Sequence, residues 1–382
     1  MMKATAASYT HVAMSILKRL RARQPATCDE DVGIDGEYVP IADKKPVGVP
    51  LAGLEKLMAS EDQLRLMGYP FPAEQRTETP PGNGSKGENL ADPDRKRCSR
   101  CGKNFVPKWP LEHLEWEECN YHWGFKRVVV QSGVKEAIWS CCQSPVHLQG
   151  ACTKGPHVFA EDDTAQLDAR IPFQTLPENS PDSKKVVALD CEMSYTVGGM
   201  ELTRVTVVDY GGESLLDELV RTKFPVLDLN TKWSGVTSLD DAKYDLAGIQ
   251  VELGKIMDRN TIMIGHGLEN DLNAMRVRTW SVCMVVASSR QLNALVSHLQ
   301  LYHSKVIDTA ALYPHPEGLP KRRPLRLVTQ KVLGRFIQQG TQGHDSKEDA
   351  KACIDIVKKF LEKAHTCNTF TEHSLVHTTI IA

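Results

Sequence analysis

The sequence has no run of 18 apolar residues, so a helical membrane span is not expected. It also has no strong excess of either charge. With 46 basic and 48 acidic residues the net charge is −2, so contact with a polyanion must come from local patches. No apolar signal segment precedes a cleavage site near the start, and no acid occurs before Asp29, although Lys3, Lys18, Arg19, Arg21 and Arg23 are present. That bias would suit a mitochondrial presequence. A short basic helix around Val12–Arg21 is the simpler reading, and with it an intracellular, reducing compartment. Aromatic residues are scarce at 6%, and no internal repeat is visible. What is present is ordinary for a globular chain: 41% hydrophobic and 25% charged residues, with a length of 382 that predicts two or three units.

Cysteine is the exception. Six of the 11 cysteines fall between Cys98 and Cys152, and clustering of that kind in a reducing compartment points to metal rather than disulfides.

Composition breaks divide the chain. Residues 1–73 read as an N-terminal helical segment, with Leu51, Leu54, Leu57 and Met58 at helical spacing before a stop at Gly68-Tyr69-Pro70. Residues 74–95, rich in Pro, Gly, Ser and charge, read as a linker. The Cys/His module spans 96–160, and a second polar linker spans 161–183. Residues 184–368 alternate strand and helix signals, and 369–382 form a tail. Within 184–368, an apolar strand at Val186–Met193 is followed by hairpin strands at Leu202–Asp209 and Ser214–Arg221. Helices are expected over Leu246–Met257, Leu268–Arg276, Leu325–Leu333 and Lys347–His365, with short strands at Thr261–Gly265 and Val306–Asp308. The pattern predicts an α/β class: a mixed sheet flanked by helices.

Asp190 and Glu192 sit two apart at the end of the first strand, so both side chains leave the same face. Two acids placed there repel unless a cation lies between them, and a hard divalent ion does this well. Asp271 falls in the first turn of the helix after Gly265-His266-Gly267. Asp349 falls in the first turn of the last helix, five residues after His344. Each has a plainer role available. Asp271 suits a helix N-terminus, and Ser346-x-x-Asp349 matches a capping box.

LDCEM, GHGLENDLNAMR and GHDSKEDA, in that order, resemble the three motifs of the DEDDh exonucleases, in the Rex-type RNA exonuclease branch of the ribonuclease H-like superfamily. The likeness covers roughly Lys184–Lys363. It implies that Asp190, Glu192, Asp271 and Asp349 hold two Mg²⁺ or Mn²⁺ ions ~4 Å apart. His344 would be the general base, suited to neutral pH by an ordinary pKa of ~6.5. The implied activity is 3′→5′ exoribonuclease trimming of non-coding RNA precursors with a single-stranded 3′ end, releasing nucleoside 5′-monophosphates in nucleus and cytoplasm. Glu201–Val205 and Trp233–Thr237 also resemble family segments that line the nucleotide pocket. The basic run Lys321–Arg326 suits an RNA backbone, a nuclear address or a solvated loop equally. The other readings weighed are a DNA-directed exonuclease and a zinc-scaffold interaction protein with a vestigial nuclease domain.

In the upstream module the candidate ligands are Cys98, Cys101, Cys119, His122, Cys141, Cys142, Cys152 and His157. Eight such ligands make two closed tetrahedral zinc sites of the structural kind, which would supply much of the folding energy. The pattern C-x-Y-H-x-G, W-x-C-C, G-C-x-x-G-x-H resembles the CHORD zinc-binding domain. It departs from it in the closely spaced first pair, which leaves open which zinc each of Cys141 and Cys142 joins. The module ahead of a DEDDh-like domain is similar to the fungal RNA exonuclease 3 group.

One segment does not fit. Deleting Val277–Gln300 would join the flanks as NAMRLYHSKVIDTA, which looks like the family's continuous sequence. The segment is a candidate insertion or retained intron, with a genuine surface loop as the alternative. Complementary DNA containing these codons throughout would reject the intron.

Overall fold

A computed structural model describes residues 49–71, 94–131, 133–148, 150–278, 305–338 and 343–367. The basic helix expected near Val12–Arg21, the first linker except its last residues, most of the 277–300 segment and the 369–382 tail lie outside the described residues.

The architecture is a mixed sheet between helical layers, as the strand and helix pattern predicts. Its strands are β8 (Val186–Thr196), β9 (Gly199–Asp209), β10 (Ser214–Arg221), β11 (Val226–Asp228), β12 (Tyr244–Asp245), β13 (Ile262–Gly265) and β15 (Val306–Asp308). The order is β12-β10-β9-β8-β13-β15, with β11 also paired to β8. The β8–β9–β10 meander is antiparallel, while β13 and β15 add in parallel beside β8. The β8–β9 register shifts just after Glu192, a bulge of the sort that re-aims side chains beside a site.

Period two sorts the core. Val187, Leu189 and Cys191 of β8 face one apolar cluster, which holds Ile249 and Leu253 of α5 (Leu246–Ile256) and Leu268, Leu272 and Met275 of α6 (Leu268–Met275). Val186 and Ala188 face the other, built on α8 (Leu325–Leu333) and α9 (Ser346–Cys367), with Ile354 and Val357 fully buried.

The part of the N-terminal segment from Leu51 to Phe71 is tied to this core. Its apolar periodicity resolves into two short helices, α1 (Leu51–Glu55) and α2 (Glu61–Met67), the second started by a capping box at Ser60 and ended by left-handed Gly68. Leu54 joins the α9 cluster, whereas Leu64, Met67, Tyr69 and Phe71 join the α6 cluster. The segment therefore closes both faces of the sheet.

The second expected linker is also structured. It carries α3 (Thr164–Arg170), capped by Asp163, and β7 (Gln174–Thr175), which pairs in parallel with β14 (Val277–Arg278). Polar composition hid this, because Leu167, Phe173 and Leu176 are buried one at a time rather than as a run. Val277 and Arg278 open the suspected insertion yet belong to the fold, with Val277 in the core.

The Cys/His module is built of small hairpins: β1 (Lys96–Arg97) with β2 (Asn104–Phe105), β3 (Cys119–Tyr121) with β6 (Thr153–Gly155), and β4 (Lys126–Gln131) with β5 (Val134–Trp139).

Candidate active site and metal centres

The four acids converge from three elements. Asp190 and Glu192 leave β8 on the side of the sheet that α9 covers, and Asp349 comes from the first turn of α9. Asp271 reaches in from α6, which packs on the opposite face. The α6 entry depends on Gly267, whose φ of 73° favours glycine. Asp308 fastens that turn, accepting from the N–H groups of Gly267 (3.1 Å) and Leu268 (3.3 Å) and from the Tyr69 hydroxyl (2.7 Å).

The electrostatics are unbalanced. Desolvation, then the charges of Asp271 and Asp349, holds Asp190 well above the usual carboxylate range. Burial, then Asp349 and Asp271, pushes Glu192 up to about 9. Burial raises Asp271 to about 7 despite the Cys191 thiol and N–H that favour its ionised form. Asp349 also rises to about 7 through burial, against a hydrogen bond from Gln338. The cation nearest Glu192 in register, Arg204, is already held by Asp217 in a two-pronged pair at 2.9 and 3.0 Å. Glu192 Oε1 and Asp349 Oδ1 are buried and have no hydrogen-bond partner. Buried oxygens without donors in a site of like charge fit divalent cations.

Asp349 has no capping role. The Ser346 hydroxyl bonds Thr206 on β9 at 2.7 Å, and Asp345 accepts from the Lys347 N–H at 3.0 Å. The sequence match to a capping box is overridden by a tertiary contact. Asp349 Oδ2 instead accepts from Gln338 Nε2 at 2.7 Å.

His344 stands beside this set, its Nδ1 3.9 Å from Asp349 Oδ2. Partial burial, then the charge of Arg326, lowers its pKa, so the ring is neutral and able to accept a proton near pH 7. Its N–H donates to the carbonyl of Trp233 at 2.8 Å. Trp233 lies in α4 (Thr231–Ser234), a single turn between left-handed Asn230 and Gly235. Its ring meets His344 edge-on at 6.0 Å.

In the module, the structure gathers Cys98, Cys101, Cys119 and His157 in one set, and His122, Cys141, Cys142 and Cys152 in another. Within each set the ligand atoms lie inside 4.8 Å of one another. Both adjacent cysteines join the second set, which resolves the pairing left open by sequence. No three carboxylates of the Asp190 group close to that spacing. Neighbouring ligand atoms stand 3.6 Å apart for Cys98–Cys119, 3.4 Å for Cys101–His157 and 3.5 Å for Cys152–Cys141. A tetrahedron of sulfurs ~2.3 Å from a zinc ion has edges of ~3.8 Å, so the geometry fits zinc. The other ring nitrogen of His122 lies 2.8 Å from the Gly150 carbonyl, the usual outer partner that fixes a ligating imidazole.

Sequence reasoning missed Asp308, Tyr69, Cys191, Gln338 and Trp123. Only Asp308 carried a signal, as an acid closing a buried strand at VIDTA.

No family model matches the chain. Among known proteins it is similar to RNA exonuclease 3 of Schizosaccharomyces pombe, 38% identical over 80% of this chain and 49% of that protein. It is 33% identical to RNA exonuclease 3 of Candida albicans, over 70% of this chain and 59% of the other. It is 32% identical to exonuclease GOR of Pan troglodytes, over 91% and 45% respectively. The chain thus spans about half the length of the curated relatives it matches. Among solved structures, the catalytic unit of Neurospora crassa Pan2 (protease and nuclease domain) is a distant likeness, with TM-score 0.39 and 19% identity over 61% of this chain and 39% of that one.

Proposed function

Because the chain belongs to the RNA exonuclease family of these relatives, we propose that it is a metal-dependent 3′→5′ exoribonuclease. The observation that carries the reading is the buried four-acid cluster, with unpartnered oxygens on Glu192 and Asp349 and its nearest arginine in register, Arg204, paired to Asp217 instead. Asp190, Glu192, Asp271 and Asp349 would hold two Mg²⁺ or Mn²⁺ ions, which supply an acidified water and a stabilised leaving oxygen. His344 would take the proton from the attacking water, and its lowered pKa keeps it in the accepting form. Gln338 keeps the Asp349 carboxylate from rotating, and Cys191 does the same for Asp271. The eight-ligand module would hold two structural zinc ions. The substrate is RNA with a single-stranded 3′ end, with non-coding precursors in nucleus and cytoplasm the physiological class.

The test is full-length protein with 5′-labelled single-stranded RNA, or DNA of the same sequence, in Mg²⁺ or EDTA, beside Asp190→Asn. A ladder of 3′-shortened RNA, lost with EDTA and in the variant, supports the reading. Equal shortening of DNA would shift it to a DNA-directed enzyme. Intact RNA in every lane would reject it.

A further inference from the structure

Each metal set of the module reaches the same short stretch of the nuclease domain through one neighbouring side chain. Arg100 lies between ligands Cys98 and Cys101. Its N–H faces the Cys98 sulfur at 3.4 Å, and its guanidinium, packed over Tyr121 and Tyr195, pairs with Asp228 at 2.5 Å. Asp228 ends β11, and its other oxygen caps the Asn230 N–H that opens α4 at 2.7 Å. Trp123 follows ligand His122. Its ring meets Trp233 edge-on at 6.3 Å and lies beneath the Lys232 ammonium, 3.1 Å from the ring centre.

The stretch between these anchors carries His344. Backbone packs on backbone there: a Cβ on Gly343 would lie 2.3 Å from the Gly235 nitrogen and 2.7 Å from the Thr231 carbonyl. The next residue, His344, donates to the Trp233 carbonyl and abuts its ring. A one-turn helix has almost no stability of its own, so its position is set by what packs on it. Trp233, still 43% exposed, is gripped on the module side by Trp123.

We propose that the zinc module is a brace for the proposed general base. Trp123 and Arg100 are positioning residues that hold β11 and α4, and through them His344. The inference rests on the function proposed above. It predicts a module that touches neither the four acids nor the proton in transfer and yet sets the rate. A small displacement of a proton acceptor costs on the order of ten- to a hundredfold in turnover.

The experiment uses the full chain with zinc bound, its content checked in each variant so that unfolded modules are recognised. Trp123→Ala and Arg100→Leu are compared with Trp123→Phe. The first readout is steady-state cleavage of single-stranded RNA. The second is the nuclear magnetic resonance position of the His344 ring carbon-bound proton, assigned by its loss in His344→Ala. That proton lies in the ring current of Trp233 and reports the brace without turnover. A brace lowers kcat ten- to a hundredfold in Trp123→Ala with KM within twofold, moves the His344 signal, and is restored by Trp123→Phe. A raised KM at unchanged kcat would make Trp123 an RNA contact and overturn the brace. So would an unmoved His344 signal at full zinc content. If the wild type degrades no RNA but the signal still moves in Trp123→Ala and returns in Trp123→Phe, the function proposed above fails while the brace stands.

Discussion

The module and the sheet domain solve the problem of folding in opposite ways. Between Lys96 and Ala160 the buried apolar side chains are few, chiefly Cys98, Cys119, Ile138, Val158 and Phe159, while Phe125, Val128, Val130 and Val134 are each more than 60% exposed. Two ligand sets take the place of a core. The sheet domain buries leucine, isoleucine and valine on both faces and then places four acids at the edge of that apolar mass. In the module a metal would be a source of stability, because the ligand residues have little else to hold them. In the domain a metal would relieve the repulsion among buried acids that the fold already tolerates. On the proposed reading, one ion type would hold the module together and the other would make the domain reactive.

The largest expected effect would break this contrast at the module. Removal of zinc should unfold residues 96–160 while leaving the sheet protected, since structural zinc supplies about 10–16 kcal/mol to domains of this kind. Hydrogen exchange read by mass spectrometry checks it, and loss of protection throughout the chain would contradict the contrast. Next in size, His344→Ala should lower turnover about 10²- to 10⁴-fold with both metal classes still bound. Rapid-quench assays at saturating RNA measure this directly.

A third outcome sharpens the comparison by its sign. Glu192 and Asp349 have folded pKa values raised to about 9 and about 7. A raised carboxylate pKa means that the folded state binds the proton more tightly than the unfolded chain. Its stabilising effect is complete below the ordinary carboxylate pKa of ~4.3 and is lost as pH rises through the folded values. Protein freed of Mg²⁺ should therefore melt progressively lower between about pH 5 and pH 9. Asp190→Asn should raise its melting temperature near pH 8 while abolishing cleavage. Scanning calorimetry with and without Mg²⁺ decides the matter, and a metal-free melting point that climbs with pH would refute it. The smallest effect belongs to Tyr69→Phe. Asp308 retains its backbone donors, so the loss should be about 1 kcal/mol, read from denaturant midpoints.

These cases also mark what was legible in the sequence. The sheet and its helices announced themselves because strand and helix periods are local. The placement of Asp190 and Glu192 on one face follows from period two alone. Contacts across the chain left no such trace. Ser346 looked like a cap until Thr206, from a distant strand, claimed its hydroxyl. The stretch 161–183 looked like linker because its buried residues are spaced among polar ones. Trp123 and Trp233 are neighbours only in three dimensions, and nothing in either local pattern names the other. Cys141 and Cys142, adjacent in sequence, could be assigned to one set only once the hairpins were placed.

The way residues 51–71 close both faces of the sheet has a consequence for biosynthesis. Leu54 shares a cluster with Leu361, and Gly53 approaches the same leucine, so the earliest helix of the unit waits for the last. A ribosome adding ~5–20 residues per second completes that partner many seconds later, and loop closure over such a span is entropically slow. Until α9 emerges, the sheet face that packs on it, with Val186, Ala188 and Leu54, remains open. The chain should therefore lean on chaperones during synthesis, and a fragment that starts at β8 would lack the apolar cover that residues 51–71 add to each cluster.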